Sequence, residues 1–176
     1  MFLEEKPKTV LTPATEVWYN MSEMKKVFIG VDPGKSGAMA VIEPDGNVYF
    51  ISYTDQLCYL NDLKTLSNTA HMVVVIERLF ARPGKMSSAK ANFELGRCCG
   101  ELETMFAMLG IPFNAVTPQR WQKEYGVSGN KEEHIRIARQ LFPTVSLRRT
   151  GKCRTDFDGY ADALLLAEYG RRHFNG

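Results

Sequence analysis

Apolar and polar positions change rhythm several times along this chain, and each change marks an element. Through residues 1–24 no period holds; Pro7 and Pro13 interrupt mixed charges, and the stretch reads as a tail. The pattern then tightens into Val27-Phe28-Ile29-Gly30-Val31, an apolar, β-branched run that predicts a buried strand. Gly37 to Glu43 predicts a second strand, Pro44-Asp45-Gly46-Asn47 a turn, and Val48 to Tyr53 a third strand. A helix is expected across Asp55 to Ser67. His71 to Ile76 follows, the strongest strand signal in the chain and apolar on both faces, as suits a central parallel strand. Ser87 or Ser88 can cap a long helix reaching Leu109, with Phe93, Leu95, Leu102, Met105, Phe106 and Leu109 as its apolar faces. Ile111 to Val116 reads as a short strand, and Thr117-Pro118 opens a helical turn. Gly126 to Asn130 breaks the chain. An amphipathic helix then spans Lys131 to Phe142 and stops at Pro143, and a last helix runs from Asp156 to Arg172.

The resulting order, β-β-β-α-β-α-β-α-α, has one economical solution. Three strands joined by short turns form an antiparallel meander, and later strands extend it in parallel. The expected fold class is therefore α/β of the ribonuclease H-like plan, a mixed five-stranded sheet flanked by helices. Residues 25–176 form one domain behind the tail. The length of 176 residues, with 44% hydrophobic and 24% charged residues, agrees with a single globular unit. No run approaches the ~18 apolar residues of a membrane span, and the N-terminus has no secretory pattern, so no membrane association is expected. Cys58, Cys98, Cys99 and Cys153 form no Cys-x-x-Cys pair, and reduced thiols in a cytoplasmic compartment are expected. No histidine stands at zinc-ligand spacing from a cysteine. The net charge of +2 conceals an asymmetry: 11 Lys/Arg against 13 Asp/Glu through residue 119, then 11 against 7. The basic excess peaks at Arg148, Arg149, Lys152 and Arg154, which either solvate a loop or face a polyanion.

The carboxylates carry the chemistry. Asp32 ends the first strand and Glu77 ends the strand of residues 71–76. If those strands are neighbours, both side chains emerge at one edge. Asp158 and Asp162 are spaced i, i+4 in the last helix, on one face about 6 Å apart, a repulsive pairing in isolation. Four carboxylates meeting at one place are costly without a dication. An oxygen-only set suits Mg²⁺ or Mn²⁺, and two such ions can activate water and stabilise the leaving oxygen of a phosphodiester. Taken singly, each has a plainer use: Asp32 can start a turn before Pro33-Gly34, Glu77 can cap the loop of residues 78–86, and Asp158 can favour a helix dipole. Trp121 is expected as a core anchor.

At these residues the chain resembles the RuvC-like Holliday-junction resolvases, most of all their phage and chloroplast branches. The likeness is carried by Ile29-Gly30-Val31-Asp32-Pro33-Gly34, Ile76-Glu77-Arg78-Leu79-Phe80 and Thr117-Pro118-Gln119-Arg120-Trp121, then by Gly126-Val127-Ser128-Gly129-Asn130-Lys131 and residues 158–167. It runs from Lys26 to Gly170. It implies that Asp32, Glu77, Asp158 and Asp162 are catalytic and bind the metal. Some bacterial members space the last two acidic residues three apart, whereas here the spacing is four; Asp156 is the alternative to Asp158. The resemblance further implies that Phe80 stacks on a base at the junction centre and that Lys131 lies near the scissile phosphate, where it could offset developing charge. Lys35, Arg82, Lys85 and the Arg148, Arg149, Lys152, Arg154 cluster would bind phosphates without reading sequence.

The expected activity is a metal-dependent endonuclease that nicks two strands of a four-way DNA junction, leaving a 5′-phosphate and a 3′-hydroxyl. Paired nicks need two active sites, so the resemblance implies a homodimer. Three alternatives stand beside it: a ribonuclease H-like enzyme acting on another branched or hybrid nucleic acid, a junction-binding protein with a decayed site, and an ATP-dependent kinase or actin-like fold suggested by Asp32-Pro33-Gly34. The last needs a second half for adenosine, for which this chain is too short.

Overall fold

The structure, a computed structural model, describes residues 24–34, 37–52, 56–80 and 88–175. Apart from Met24, the tail assigned to residues 1–24 lies outside them. So do Lys35, Arg82 and Lys85. The elements are strands β1 (Lys25–Asp32), β2 (Ala38–Ile42) and β3 (Val48–Ser52), helix α1 (Gln56–Ser67), strand β4 (Ala70–Glu77), helix α2 (Ala89–Met108), strand β5 (Phe113–Val116), and helices α3 (Pro118–Glu124), α4 (Lys131–Leu141) and α5 (Asp158–His173).

The strands form one sheet in the order β3-β2-β1-β4-β5. β1 pairs antiparallel with β2, and β2 with β3; β1–β4 and β4–β5 are parallel. The expected mixed five-stranded sheet is therefore observed. Strand alternation splits the core in two. Val27, Ile29 and Val31 face α1 and α2, joined by Val74 and Ile76. Phe28, Val73 and Val75 face α3, α4 and α5. Both faces are covered, which is why β1 and β4 read as unbroken apolar runs.

Helix α5 is the most deeply embedded of the helices. Leu164, Leu165 and Leu166 are fully buried, each worth about 1.5–3 kcal/mol of transfer free energy. The helix packs on β1, β2 and β4 and against α4. Its approach to β1 depends on Gly30: a Cβ there would lie 2.0 Å from the Ala163 carbonyl oxygen and 2.2 Å from the Ala167 nitrogen. Any side chain at Gly30 would lift α5 off the sheet and carry its N-terminal turn away from the end of β1.

Three expectations need correction. α5 begins at Asp158 with Phe157 as N-cap, not at Asp156, because the Asp156 carboxylate is held by Arg139 and Arg148 while the chain is still extended. β5 begins at Phe113, two residues later than expected. Phe93 belongs to no apolar face of α2 and is 69% exposed. The buried stripe of that helix is Cys98, Leu102, Met105 and Phe106, and Phe93 lies about 140° around the helix from Cys98. The cap itself is Ser88, whose hydroxyl accepts from the Ala91 amide at 3.1 Å.

Candidate active site

β1 and β4 run in parallel with Val31 opposite Ile76, so their final residues, Asp32 and Glu77, lie side by side at one edge of the sheet. The edge is well defined on both sides. β2 pairs with β1 as far as Asp32, opposite Ala38. β5 pairs with β4 as far as Glu77, opposite Val116, and the Arg78 amide donates to the Val116 carbonyl at 2.8 Å. Beyond Asp32 the chain turns tightly, with the Gly37 amide donating to the Gly34 carbonyl at 2.9 Å and Gly34 at φ 145°.

The first two turns of α5 add Asp158 and Asp162 to this edge. Burial pushes the Asp32 carboxyl well above the ordinary carboxylate range, and the charges of Asp162, Glu77 and Asp158 push it the same way; Lys131 opposes them only in part. Asp162, Glu77 and Asp158 are thus near enough to raise the cost of ionising Asp32. They are not drawn into a shared ligating shell: among the described residues, no three His, Cys, Asp or Glu side chains are grouped so as to hold a metal ion.

Three of the four have partners from α3 and α4. Lys131, the first residue of α4, pairs with Asp158, and that contact holds its ammonium above its ordinary value. One turn on, His134 Nδ1 meets Asp162 Oδ1 at 2.6 Å, while its Nε2 donates to the Ser128 carbonyl at 2.6 Å. Burial disfavours the charged imidazole, but Asp162 and the Ser128 carbonyl outweigh it and raise His134 overall. Glu77 Oε1 accepts from the Trp121 indole at 2.8 Å. Residues 131 and 134 on α4 therefore face residues 158 and 162 on α5, pair by pair.

The remaining candidates divide. Trp121 is 1% exposed, the expected core anchor, with a hydrogen bond to Glu77 that no sequence pattern reveals. Phe80 is 59% exposed just beyond Glu77, with the Arg78 guanidinium 5.7 Å from its ring centre. Asp156 stands apart from the acidic edge, between Arg139 and Arg148. In the basic segment, Arg148 reaches Asp156 at 3.9 Å and Arg149 stacks on Phe157 at 3.8 Å, while Lys152 and Arg154 are exposed. His134 is a site residue that sequence reasoning misses. Its spacing of three from Lys131 on an amphipathic helix is the available signal.

Neither a scan of protein-family models nor a search of curated proteins finds a match. Solved structures do match. Thermus thermophilus RuvC in complex with a Holliday junction substrate aligns over 86% of this chain and 96% of its own, with a TM-score of 0.55 at 17% identity. A second Thermus thermophilus RuvC structure aligns over 86% and 97%, with a TM-score of 0.51 at 18% identity. The fold is that of RuvC. The yeast mitochondrial Holliday junction resolvase Ydc2 also aligns, over 86% and 82%, with a TM-score of 0.49 at 16% identity. In the RuvC fold of this chain, the acidic edge occupies the carboxyl ends of β1 and β4, where α/β sheets place their ligands.

Proposed function

We propose that this protein is a metal-dependent endonuclease that resolves four-way DNA junctions by paired nicks, leaving 5′-phosphate and 3′-hydroxyl ends. The observation that carries the proposal is the acidic edge itself: Asp32, pressed by burial and by Asp162, Glu77 and Asp158, sits on a fold shared with a RuvC that was solved with a Holliday junction.

The donor set suits a hard dication, being oxygen throughout, and the load of like charge on Asp32 is what such an ion would relieve. Asp32, Glu77, Asp158 and Asp162 would hold Mg²⁺ or Mn²⁺, as one ion or two, and bound metal would supply Lewis acidity and an acidified water. The other roles belong to the chain. Trp121 holds Glu77 in place, and Lys131, 72% exposed at its side chain, can turn from Asp158 toward a phosphate at the same edge. Phe80 offers an open ring face to an unpaired base. Lys152, Arg154 and the flanking arginines lie next to the start of α5, where a DNA backbone entering the site would pass. The homodimer reading is supported by α2, on which Phe93, Gly100, Thr104 and Met108 share an exposed face.

A cleavage panel of four-way junction, flap, fork and RNA–DNA hybrid with Mg²⁺ tests the substrate, and preferential symmetric cutting of the junction is expected. Preference for the hybrid or flap would move the enzyme to another ribonuclease H-like substrate, and binding without cutting would make it a junction-binding protein. Phe80→Ala should weaken junction resolution by about 5- to 150-fold, the equivalent of ~1–3 kcal/mol of base stacking, measured as a single-turnover rate.

A further inference from the structure

We infer that His134 and Trp121 form a positioning clamp that orients Asp162 and Glu77 toward a shared divalent cation. The inference rests on the reading of the acidic edge as a metal site and adds two residues that bind no metal themselves.

The clamp is defined by donor and acceptor chemistry. The Ser128 carbonyl can only accept, so Nε2 of His134 carries the proton in that bond. With one end of the imidazole tied to the backbone at 2.6 Å, the ring cannot swing, and Nδ1, which must also carry a proton for the ring to make both bonds, donates to Asp162 Oδ1 at 2.6 Å. Indole Nε1 can only donate, so Trp121 fixes the orientation of Glu77 Oε1 at 2.8 Å. The two rings brace each other edge to face, 5.0 Å apart at 62°. Both are enclosed, His134 at 3% exposure and Trp121 at 1%, so neither can relax into solvent. α3, through Trp121, and α4, through His134, thus deliver polar contacts to carboxylates that come from different elements, β4 and α5. A histidine kept only for packing would need no acid at Nδ1, and burying its polar ring costs more than an apolar side chain of like size. Partners of this kind commonly set metal affinity through the ligands they hold.

Two substitutions separate positioning of Asp162 from support of the loop at Ser128. The amide of His134→Asn reaches about as far as Nδ1 and can still meet Asp162. The amide of His134→Gln reaches about as far as Nε2 and can still meet the Ser128 carbonyl. Trp121→Phe keeps the ring and removes only the donor to Glu77. Each purified full-length variant is titrated with Mn²⁺ without DNA, the unbound ion being counted by electron paramagnetic resonance, alongside thermal melting and junction cleavage.

His134→Asn is expected to stay within about 3-fold of the parent in Mn²⁺ affinity, whereas His134→Gln and Trp121→Phe lose about 10- to 100-fold. Equal affinity in His134→Gln and the parent would overturn the clamp, as would His134→Gln outperforming His134→Asn. A parent that binds Mn²⁺ with this ranking yet cuts no nucleic acid would refute the nuclease reading and leave the clamp standing. A parent that binds no Mn²⁺ would refute both.

Discussion

Glu168 and Asp162 lie on the same helix, six residues apart, and the protein treats the carboxylates around them in opposite ways. Glu168 is 3% exposed and takes hydrogen bonds from Arg171 at 2.6 and 2.9 Å and from Arg172 at 2.8 Å. Burial alone would raise its acid, but the two guanidinium groups hold it below the ordinary range. At the other end of α5, Asp32 is raised by burial and by three acidic neighbours. Asp156, two residues before Asp158, has Arg139 and Arg148. Arginines therefore neutralise two buried carboxylates, while among the described residues Asp158 and Asp162, at the edge formed by β1, β4 and the start of α5, pair with Lys131 and His134. A carboxylate already compensated by the chain serves the fold. On the proposed reading, the acidic cluster at that edge takes its compensation from a cation outside the chain.

Three substitutions probe that contrast, and the first should have the largest effect. Asp32→Asn or Glu77→Gln should abolish junction cleavage, a loss of more than about 10³-fold, while junction binding by gel shift stays near the parent. Retained nicking in either variant would remove these residues from the chemistry. Glu168→Gln should do the reverse. It leaves the arginines against a weaker acceptor and should cost about 1–3 kcal/mol, seen as a fall in Tm of several degrees, with cleavage at 20 °C unchanged.

The smallest effect concerns pH and has opposite signs at the two ends. The acid of Glu168 is lowered from its ordinary 4.5, so its contribution to stability is present above that pH and is lost as pH falls through the folded value. Asp32 is raised from 3.8, so its contribution is present below that pH and is lost as pH rises through the folded value. In EDTA, the Tm of Asp32→Asn should match the parent near pH 4 and exceed it at pH 7, with ~1 kcal/mol corresponding to about 2–4 °C in a domain of this size. Mg²⁺ should raise the parent's Tm and leave that of Asp32→Asn unchanged. A variant no more stable than the parent at pH 7 would mean that Asp32 bears no unrelieved charge.

Much of this arrangement is legible in the sequence because it follows from strand periodicity. A segment apolar on both faces, such as Met72–Ile76, has to be central, and a neighbouring parallel strand brings Asp32 and Glu77 to one edge. The spacing of Asp158 and Asp162 likewise survives any shift in where α5 begins. Contacts between elements are not legible. That His134 meets Asp162, and that Trp121 donates to Glu77, depends on how α3 and α4 lie across α5, which no local pattern specifies. In the sequence Asp156 and Asp158 look interchangeable because both stand just ahead of the same apolar run, residues 163–167. Only the arginines gathered by folding tell them apart. Phe93 misleads for a simpler reason: an apolar residue in an amphipathic helix reads as inward although its angle places it outside the buried stripe.

The most direct test is the cleavage of a synthetic mobile four-way junction by the full-length protein in Mg²⁺, with both strands end-labelled and nick positions mapped beside Asp32→Asn. The acidic edge, working as a resolvase site, predicts paired nicks placed symmetrically across the junction, with ligatable 5′-phosphate ends, and no nicks from Asp32→Asn or in EDTA. An intact junction in every lane, or nicks of equal strength with Asp32→Asn, would contradict it.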